Sequence, residues 1–322
     1  MLMLDGQNLS MCLLLGVLLD VALGEVRRWH PLVGFGNLAN TVEKRFNIVG
    51  ASRWTGALGW CMVVLPLVAL TVASLALARY CNVWLNLFLH ALLLYFCLGL
   101  RSLHEHNIAI ANALDAGDLA EARKRTAYIV SRDTDGEDES YLAKASVESV
   151  LENGCDAVFA TLFWFVLLGG PGAVLYRLAN TLDAMWGYRS TRFLRFGCVA
   201  ARMDDVMNWL PARLTALTYA ALGQTRLAWR CWQSQAPGWP SPNAGPVMAA
   251  GAGALGLALG GAARYDSIAE IRPTLGEGRA AVAADIRRAL RLVEGGTALW
   301  CGFVFMLTLL SVKLFAGGVL HA

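Results

Sequence analysis

Cys155-Asp-Ala-Val-Phe-Ala-Thr-Leu-Phe-Trp-Phe-Val-Leu-Leu-Gly169-Gly-Pro-Gly172-Ala-Val-Leu-Tyr-Arg-Leu-Ala179 is long and apolar enough to cross a bilayer, yet glycines and a proline interrupt it. A simple span takes about 20 predominantly apolar residues. If this segment crossed, it would put the arginine-rich residues 180–208 on the opposite side from the other basic loops. Lysine and arginine favour the cytoplasmic side, so that topology conflicts with the charge pattern. A turn at Gly169–Gly172 removes the conflict by returning the chain to the side it left. Broken backbone at membrane depth is tolerated where protein buries it or where it lines a cavity. The reading is therefore a re-entrant hairpin over residues 155–182.

Working outward, residues 56–78, 83–100 and 296–316 are continuous apolar runs of spanning length, and 9–23 is a shorter one. Residues 209–223 and 244–261 are weaker candidates. The run from Leu9 to Leu23 has no basic stretch before it and no small-residue cleavage site after it, so it is expected to be retained as a membrane segment. Arg27, Arg28, Lys44, Arg45 and Arg53 mark residues 26–55 as cytoplasmic. Arg101, Arg123, Lys124, Arg125, Arg132 and Lys144 do the same for 101–153, whereas the turn after residue 78 carries only Arg79. Residues 101–153 are expected to be a cytoplasmic helical region. Gly117 breaks it, and Asp118 with Glu121 starts a second helix. The prediction is an all-α, polytopic membrane bundle forming one domain over 1–322. No strand-like alternation is long enough to build a sheet, and no internal repeat is visible.

Composition agrees. Of 322 residues, 57% are hydrophobic and 16% charged, with mean hydropathy +0.48; soluble domains carry about a quarter charged residues. A net charge of +3 without a basic, aromatic-rich tract argues against nucleic acid. Eight cysteines include no C-x-x-C pair and read as small buried hydrophobes. His104 and His106 lie two apart on a helix and face different ways, so the histidines make a poor metal set.

Polar motifs sit in awkward places beside these apolar runs. Glu148, Glu152 and Asp156 fall at i, i+4 and i+8, a helical stripe of like charges that a divalent cation or basic substrate would relieve. The plainer reading is a solvated face before the membrane. Asn180 and Asp183 follow the apolar hairpin directly; polar residues at membrane depth are costly and commonly functional. They would otherwise be a helix-ending cap. In Ala201-Arg-Met-Asp-Asp-Val-Met-Asn-Trp-Leu-Pro-Ala-Arg213, Asp204 and Asn208 share a helical face with Arg202 and Arg213 nearby. Carboxylates suit Mg²⁺, and arginines take phosphate oxygens bidentately. Ser241-Pro-Asn243 reads as a capped helix start, a place where phosphate can sit. Gly256 and Gly260 in the glycine-rich run that follows more often mean close helix packing than ligand contact. There is no P-loop sequence. Trp29-His30-Pro31 reads as a turn, with His30 also a candidate substrate contact.

Taken together the motifs resemble the adenosylcobinamide-phosphate synthase family of cobalamin biosynthesis (CbiB/CobD). The shared strings are Asp20, Gly24-Glu25, Trp29-His-Pro31, Ser131-Arg-Asp-Thr134, Glu152-Asn153 with Asp156, and Leu168-Gly-Gly-Pro-Gly172. They continue through Asn180-Thr-Leu-Asp183 to Tyr188, the Ala201–Arg213 string, Ser241-Pro-Asn243, and the glycine-rich run to Gly261. The resemblance covers Asp20 to Gly278. Val26, Ala157, Thr161 and Ala184 depart from the pattern at packing or backbone positions, which puts fine substrate preference in question and leaves the reaction class intact.

The resemblance implies ATP-dependent amide formation at the inner membrane, between adenosylcobyric acid and (R)-1-aminopropan-2-ol phosphate or a related amino-alcohol phosphate. Mg²⁺ would be the cofactor and ATP the co-substrate. Glu152, Asp183, Asp204 and Asp205 would hold Mg²⁺ on phosphates, and Arg132, Arg202 and Arg213 would bind phosphate. Asp156 or Glu148 would take the amine proton, and Asn153, Asn180, Asn208 and Asn243 would orient substrate with Ser241 and His30 beside them. Membrane lipid, a second copy of the chain and other membrane enzymes of cobalamin assembly are the expected partners. Two rival readings are a Mg²⁺-dependent intramembrane prenyltransferase and a transporter or scaffold. The first would show two aspartate-rich motifs, the second matching broken halves; neither pattern is present.

Overall fold

The computed structural model describes residues 4–26, 28, 30–48, 51–265 and 268–319, apart from the side chains of 265, 268–269 and 312–319. Trp29, read with the His30 turn, lies outside the described residues. The helices in chain order are α1 (Gly6–Leu23), α2 (Pro31–Phe46), α3 (Arg53–Cys81), α4 (Val83–Cys97), α5 (Leu100–Asp115), α6 (Leu119–Ala127) and α7 (Glu139–Asn153). After a π-helical turn at Gly154–Phe159 come α8 (Ala160–Leu168), α9 (Gly170–Trp186), α10 (Cys198–Leu222), α11 (Thr225–Gln235) and α12 (Ala244–Leu255). Two strands, β1 (Leu259–Tyr265) and β2 (Ile268–Leu275), precede the long final helix α13 (Ala283–Val319).

Five of the described helical runs are long and apolar enough to cross a membrane: Gly6–Leu23, Arg53–Cys81, Val83–Asp115, Glu139–Leu168 and Ala283–Ser311. The chain is thus a helical, multi-pass membrane protein, as its composition requires. Several boundaries differ from the sequence reading. Two of the runs enter residues 101–153, expected to be wholly cytoplasmic, because their apolar residues serve the protein core as much as the bilayer. Half or more of each window is buried inside the protein. The run 244–261 is no span: α12 has 12 residues, all buried, and ends where Gly256 turns left-handed at φ 66°. At 1.5 Å per residue it covers roughly 18 Å of the ~30 Å needed. The run 209–223 forms the second half of α10 and is not among the five. A sheet was not anticipated, yet β1 and β2 pair antiparallel with a bulge between Gly260 and Ala262.

The chain forms two compact units. The first gathers residues 1–99, 160–207 and 299–322. Its core packs Phe35, Trp60, Val63, Tyr176, Leu182, Trp186 and Phe196, with Trp186 edge-on to Phe196 at 5.0 Å. The break at Gly169 is real, with φ 66°. Gly170 N–H donates to His90 Nδ1 at 3.0 Å, which fixes the turn on α4. A Cβ on Gly172 would lie 2.2 Å from the Trp164 carbonyl oxygen, so the two limbs approach backbone to backbone only because glycine stands there. The first and last spanning helices join through Ser10 and Thr308, whose hydroxyls are 2.7 Å apart.

In the same unit the carboxylate of Glu43 on α2 is buried. It accepts from Arg192 Nε at 3.0 Å, Arg192 Nη2 at 2.8 Å and Asn47 Nδ2 at 2.7 Å. Burial pushes the Glu43 carboxyl up, but hydrogen bonds from Arg192 and Asn47 outweigh it and hold the group below its ordinary value. A depressed carboxylate adds stability that is present above the unfolded pKa and disappears as pH falls through the folded one. Melting of the purified protein across pH 6 to 3 is therefore expected to show an acid-sensitive component that Glu43→Gln lacks. Parallel curves for the two proteins would refute it.

The second unit gathers residues 100–159 and 208–298. Ser146 Oγ donates to Asn107 Oδ1 at 2.7 Å, setting α7 on α5. Asp285, wholly buried at the start of α13, accepts from Arg279 Nη1 at 2.6 Å, Arg288 Nη1 at 2.7 Å and Val282 N–H at 3.0 Å. The chain leaving the hairpin is pinned there.

Candidate active site

The second unit contains a polar cleft of about 350 Å³. One wall is the stripe of α7 carrying Glu148, Ser149, Glu152 and Asn153; the others bring Arg132, Trp239, Glu270 and Arg272. Glu148 organises it. Its Oε2 accepts from Arg132 Nη2 at 2.6 Å and Arg272 Nη2 at 3.1 Å, while Oε1 accepts from Gly260 N–H at 2.7 Å. The three side chains are 3%, 6% and 10% exposed for Glu148, Arg132 and Arg272. Both guanidiniums are therefore held in position with little water around them. Ring faces support the cations: Arg272 lies 5.5 Å from the Trp239 centroid and Arg132 5.8 Å from that of Tyr141. Lys144 Nζ donates to Gly260 O at 3.0 Å.

Gly260 is required by geometry. Its φ is +72°, and a Cβ there would stand 2.2 Å from the Pro273 carbonyl oxygen. The bulge at this position aims the Gly260 amide at Glu148. The expected helix-packing role of Gly256 and Gly260 is thus replaced: one ends α12, the other anchors a carboxylate. Glu148, read as a proton acceptor, has both oxygens engaged and acts as the clamp of the guanidiniums. Glu152 lines the cleft as well, and Asn153 Nδ2 turns back to Ser149 O at 3.0 Å. Asp156, expected on the same stripe, falls in the π-helical turn outside the cleft lining, where its charge acts on Tyr219.

A second cleft of about 470 Å³ shares Trp239 and Pro240 with the first and contains Arg213. Arg213 Nη1 donates to Asn243 Oδ1 at 2.8 Å and Nη2 to Pro242 O at 3.0 Å, and the guanidinium lies 4.6 Å from the Trp209 centroid. Ser241 Oγ accepts from the amides of Asn243 and Ala244 at 3.3 and 3.1 Å, but α12 begins later than its sequence implied, at Ala244 with Asn243 as its N-cap residue. Asn208 is buried in the same unit.

The remaining candidates belong to the first unit. Asn180 Nδ2 donates to Asp204 Oδ1 at 3.1 Å. Asp183 follows one turn after Asn180 on α9, and the Asp183 carbonyl caps Gly187 N–H at 2.7 Å. Burial raises the Asp205 carboxyl, against an opposing pull from Arg189. Arg202 is exposed. His30 caps α2, its Nδ1 accepting from Leu32 N–H at 3.2 Å, and burial holds its pKa below the ordinary imidazole value. Among the described residues no three His, Cys, Asp or Glu side chains come together as a preformed metal cage. The expected Mg²⁺ set divides accordingly: Glu152 stands in one unit, and Asp183, Asp204 and Asp205 in the other.

Sequence marks neither Arg272 nor Trp239 as a site residue, and it offers Lys144 only as a cytoplasmic charge and Gly260 only as a packing glycine. Arg272 counted only as charge, and Trp239 only as part of a proline-rich loop.

Comparison with known proteins gives a consistent result. The family model described as CobD/Cbib protein matches residues 13–293. Proteins named cobalamin biosynthesis protein CobD are similar along almost the whole chain. The one from Stutzerimonas stutzeri is 55% identical over 95% of this chain and 97% of its own. That from Chromobacterium violaceum is 52% identical over 98% and 100%, and that from Mycobacterium tuberculosis 39% over 91% and 94%. No solved structure gives a significant match. A match of this length, at these identities, means that the chain belongs to the CobD/Cbib family.

Proposed function

We propose that this member of a cobalamin-biosynthesis family is an adenosylcobinamide-phosphate synthase, joining adenosylcobyric acid to an amino-alcohol phosphate with consumption of ATP. The observation that carries the reading is the clamp of Arg132 and Arg272 on Glu148, which presents two desolvated cations beside Glu152 in one cleft. The cleft has the size for phosphate groups and a short amino-alcohol, and the corrin ring must extend beyond it.

A carboxylate resists an amine because its carbonyl carbon is electron-rich and oxide leaves poorly. Transfer of the γ-phosphoryl group of ATP to the propionate oxygen gives an acyl phosphate and ADP. The amine then attacks the carbonyl carbon, phosphate leaves with the C–O bonding pair, and the ammonium proton passes to a base. Arg132 and Arg272 stabilise the phosphate oxygens as charge moves onto them, and fixed donors in a dry site are worth more than in water. Glu152 is the cleft carboxylate placed to receive the amine proton or to hold Mg²⁺. Bound Mg²⁺ supplies neutralising charge on the phosphates. In the first unit Asp204, held by Asn180, and Asp183 are further carboxylates suited to such an ion. The excess of lysine and arginine in the polar stretches supports a cytoplasmic site at the inner membrane.

Membrane-extracted protein incubated with adenosylcobyric acid, ATP and a panel of amino-alcohol phosphates is expected to yield the amide, identified by mass, only when ATP is present. Asp204→Asn and Glu152→Gln proteins, checked for fold, are each expected to lose at least about ten-fold in turnover if they hold the ion or the proton. Wild-type turnover in both would remove these carboxylates from the chemistry. Stabilisation by isoprenyl diphosphate in place of the corrinoid and ATP would favour a prenyltransferase.

A further inference from the structure

In the first unit α2, α3, α4 and α9 enclose an apolar groove of about 400 Å³, distinct from both clefts described above although Pro31, next to His30, lines it. Leu38, Leu70, Leu93, Phe96 and Val174 form its walls, and the only charged residue lining it is Arg177. Its rim is open, since Leu38 and Leu70 are 42% and 62% exposed. The hydroxyl of Thr71, which also lines it, is satisfied by Leu67 O at 2.8 Å. Arg177 is the exception: its Nε is buried without a hydrogen-bond partner, and among the described residues no carboxylate pairs with its guanidinium.

A buried, unpartnered Nε–H on a half-buried arginine beside membrane helices is costly, and an anion is the natural relief. A small soluble anion would leave the apolar walls unused. A zwitterionic headgroup would bring an ammonium for which the groove lining holds no carboxylate. We propose that the groove binds a phospholipid of net negative headgroup charge, its phosphate on Arg177 and its acyl chains against α2, α3 and α4. A guanidinium can take a phosphate through two parallel hydrogen bonds, and the chains replace water along the walls. This site is independent of the amide-forming reading.

The test uses the full-length protein in mild detergent, stripped of lipid and titrated with phosphatidylglycerol, phosphatidylcholine, glycerol phosphate or adenosylcobyric acid. Melting midpoint and native mass spectrometry are the readouts. Phosphatidylglycerol alone is expected to stay bound and raise the midpoint. Its affinity is expected to fall at least about ten-fold in Arg177→Gln, the loss of one charge-assisted contact. Leu70→Trp, which fills the groove from its exposed rim and leaves the guanidinium in place, is expected to weaken it as well. The proposal is overturned by equal effects of phosphatidylcholine, by glycerol phosphate matching the lipid, or by the corrinoid displacing it. Undiminished lipid binding in either variant overturns it too. If Arg177→Gln does not fold, Leu70→Trp decides.

Discussion

Replacement of Glu148 by alanine is expected to lower the unfolding free energy by about 3–5 kcal/mol, because it takes from two buried guanidiniums the carboxylate that binds both. Arg132 and Arg272 are 6% and 10% exposed, so water cannot replace the lost carboxylate without rearrangement of the hairpin. The Gly260 amide loses its acceptor at the same time. Glu148→Gln keeps the shape and one acceptor but not the charge, and its loss is expected to lie between alanine and wild type. Denaturant unfolding in micelles measures both. A Glu148→Ala protein as stable as wild type would mean that the clamp does not hold the cleft together.

The second large effect is on turnover. Arg272→Met removes one cation but leaves Arg132 to pair with Glu148, so the fold is expected to suffer less than in Glu148→Ala. Turnover is expected to suffer more, with kcat/KM for the amino-alcohol phosphate or ATP falling by about a hundred-fold or more. Lysine at the same position would keep charge but lose the planar contact with the Trp239 ring, and is expected to recover only part of the activity. Undiminished kcat/KM in Arg272→Met would take this residue out of phosphate handling.

These two experiments turn on residues that the sequence showed unequally. The spans over 56–78 and 83–100 are legible because apolar composition over twenty residues has one meaning in a bilayer. The break at Gly169 was readable too, since glycine and proline interrupt the apolar run there. The turn at Ser241 follows from local chemistry alone, although the helix itself begins at Ala244. What failed was everything decided by distance in sequence. Glu148 looked like a proton acceptor on a like-charged stripe because its counter-ions lie 16 and 124 residues away. Nothing local marks Arg272 as one of them. Gly260 fits a helix-packing spacing as well as it fits a bulge, and its positive φ is set by a pairing that only the folded hairpin has. The run 244–261 exceeds twelve residues in hydropathy but not in helix, because burial inside protein and burial in lipid select the same side chains.

The hydrogen bond between Ser10 and Thr308 has a consequence for how the protein is made. Ser10 enters the membrane with the first helix, but the hydroxyl it meets arrives with the last. At about 5–20 residues per second, the roughly 200 residues between Gly99 and the closing segment of the first unit take on the order of 10–40 s to synthesise. During that interval the early helices must wait in the bilayer, with a polar group at their interface still seeking its partner. The first unit therefore closes only when α13 arrives, and a message cut short before Leu299 would yield inserted helices that never complete it.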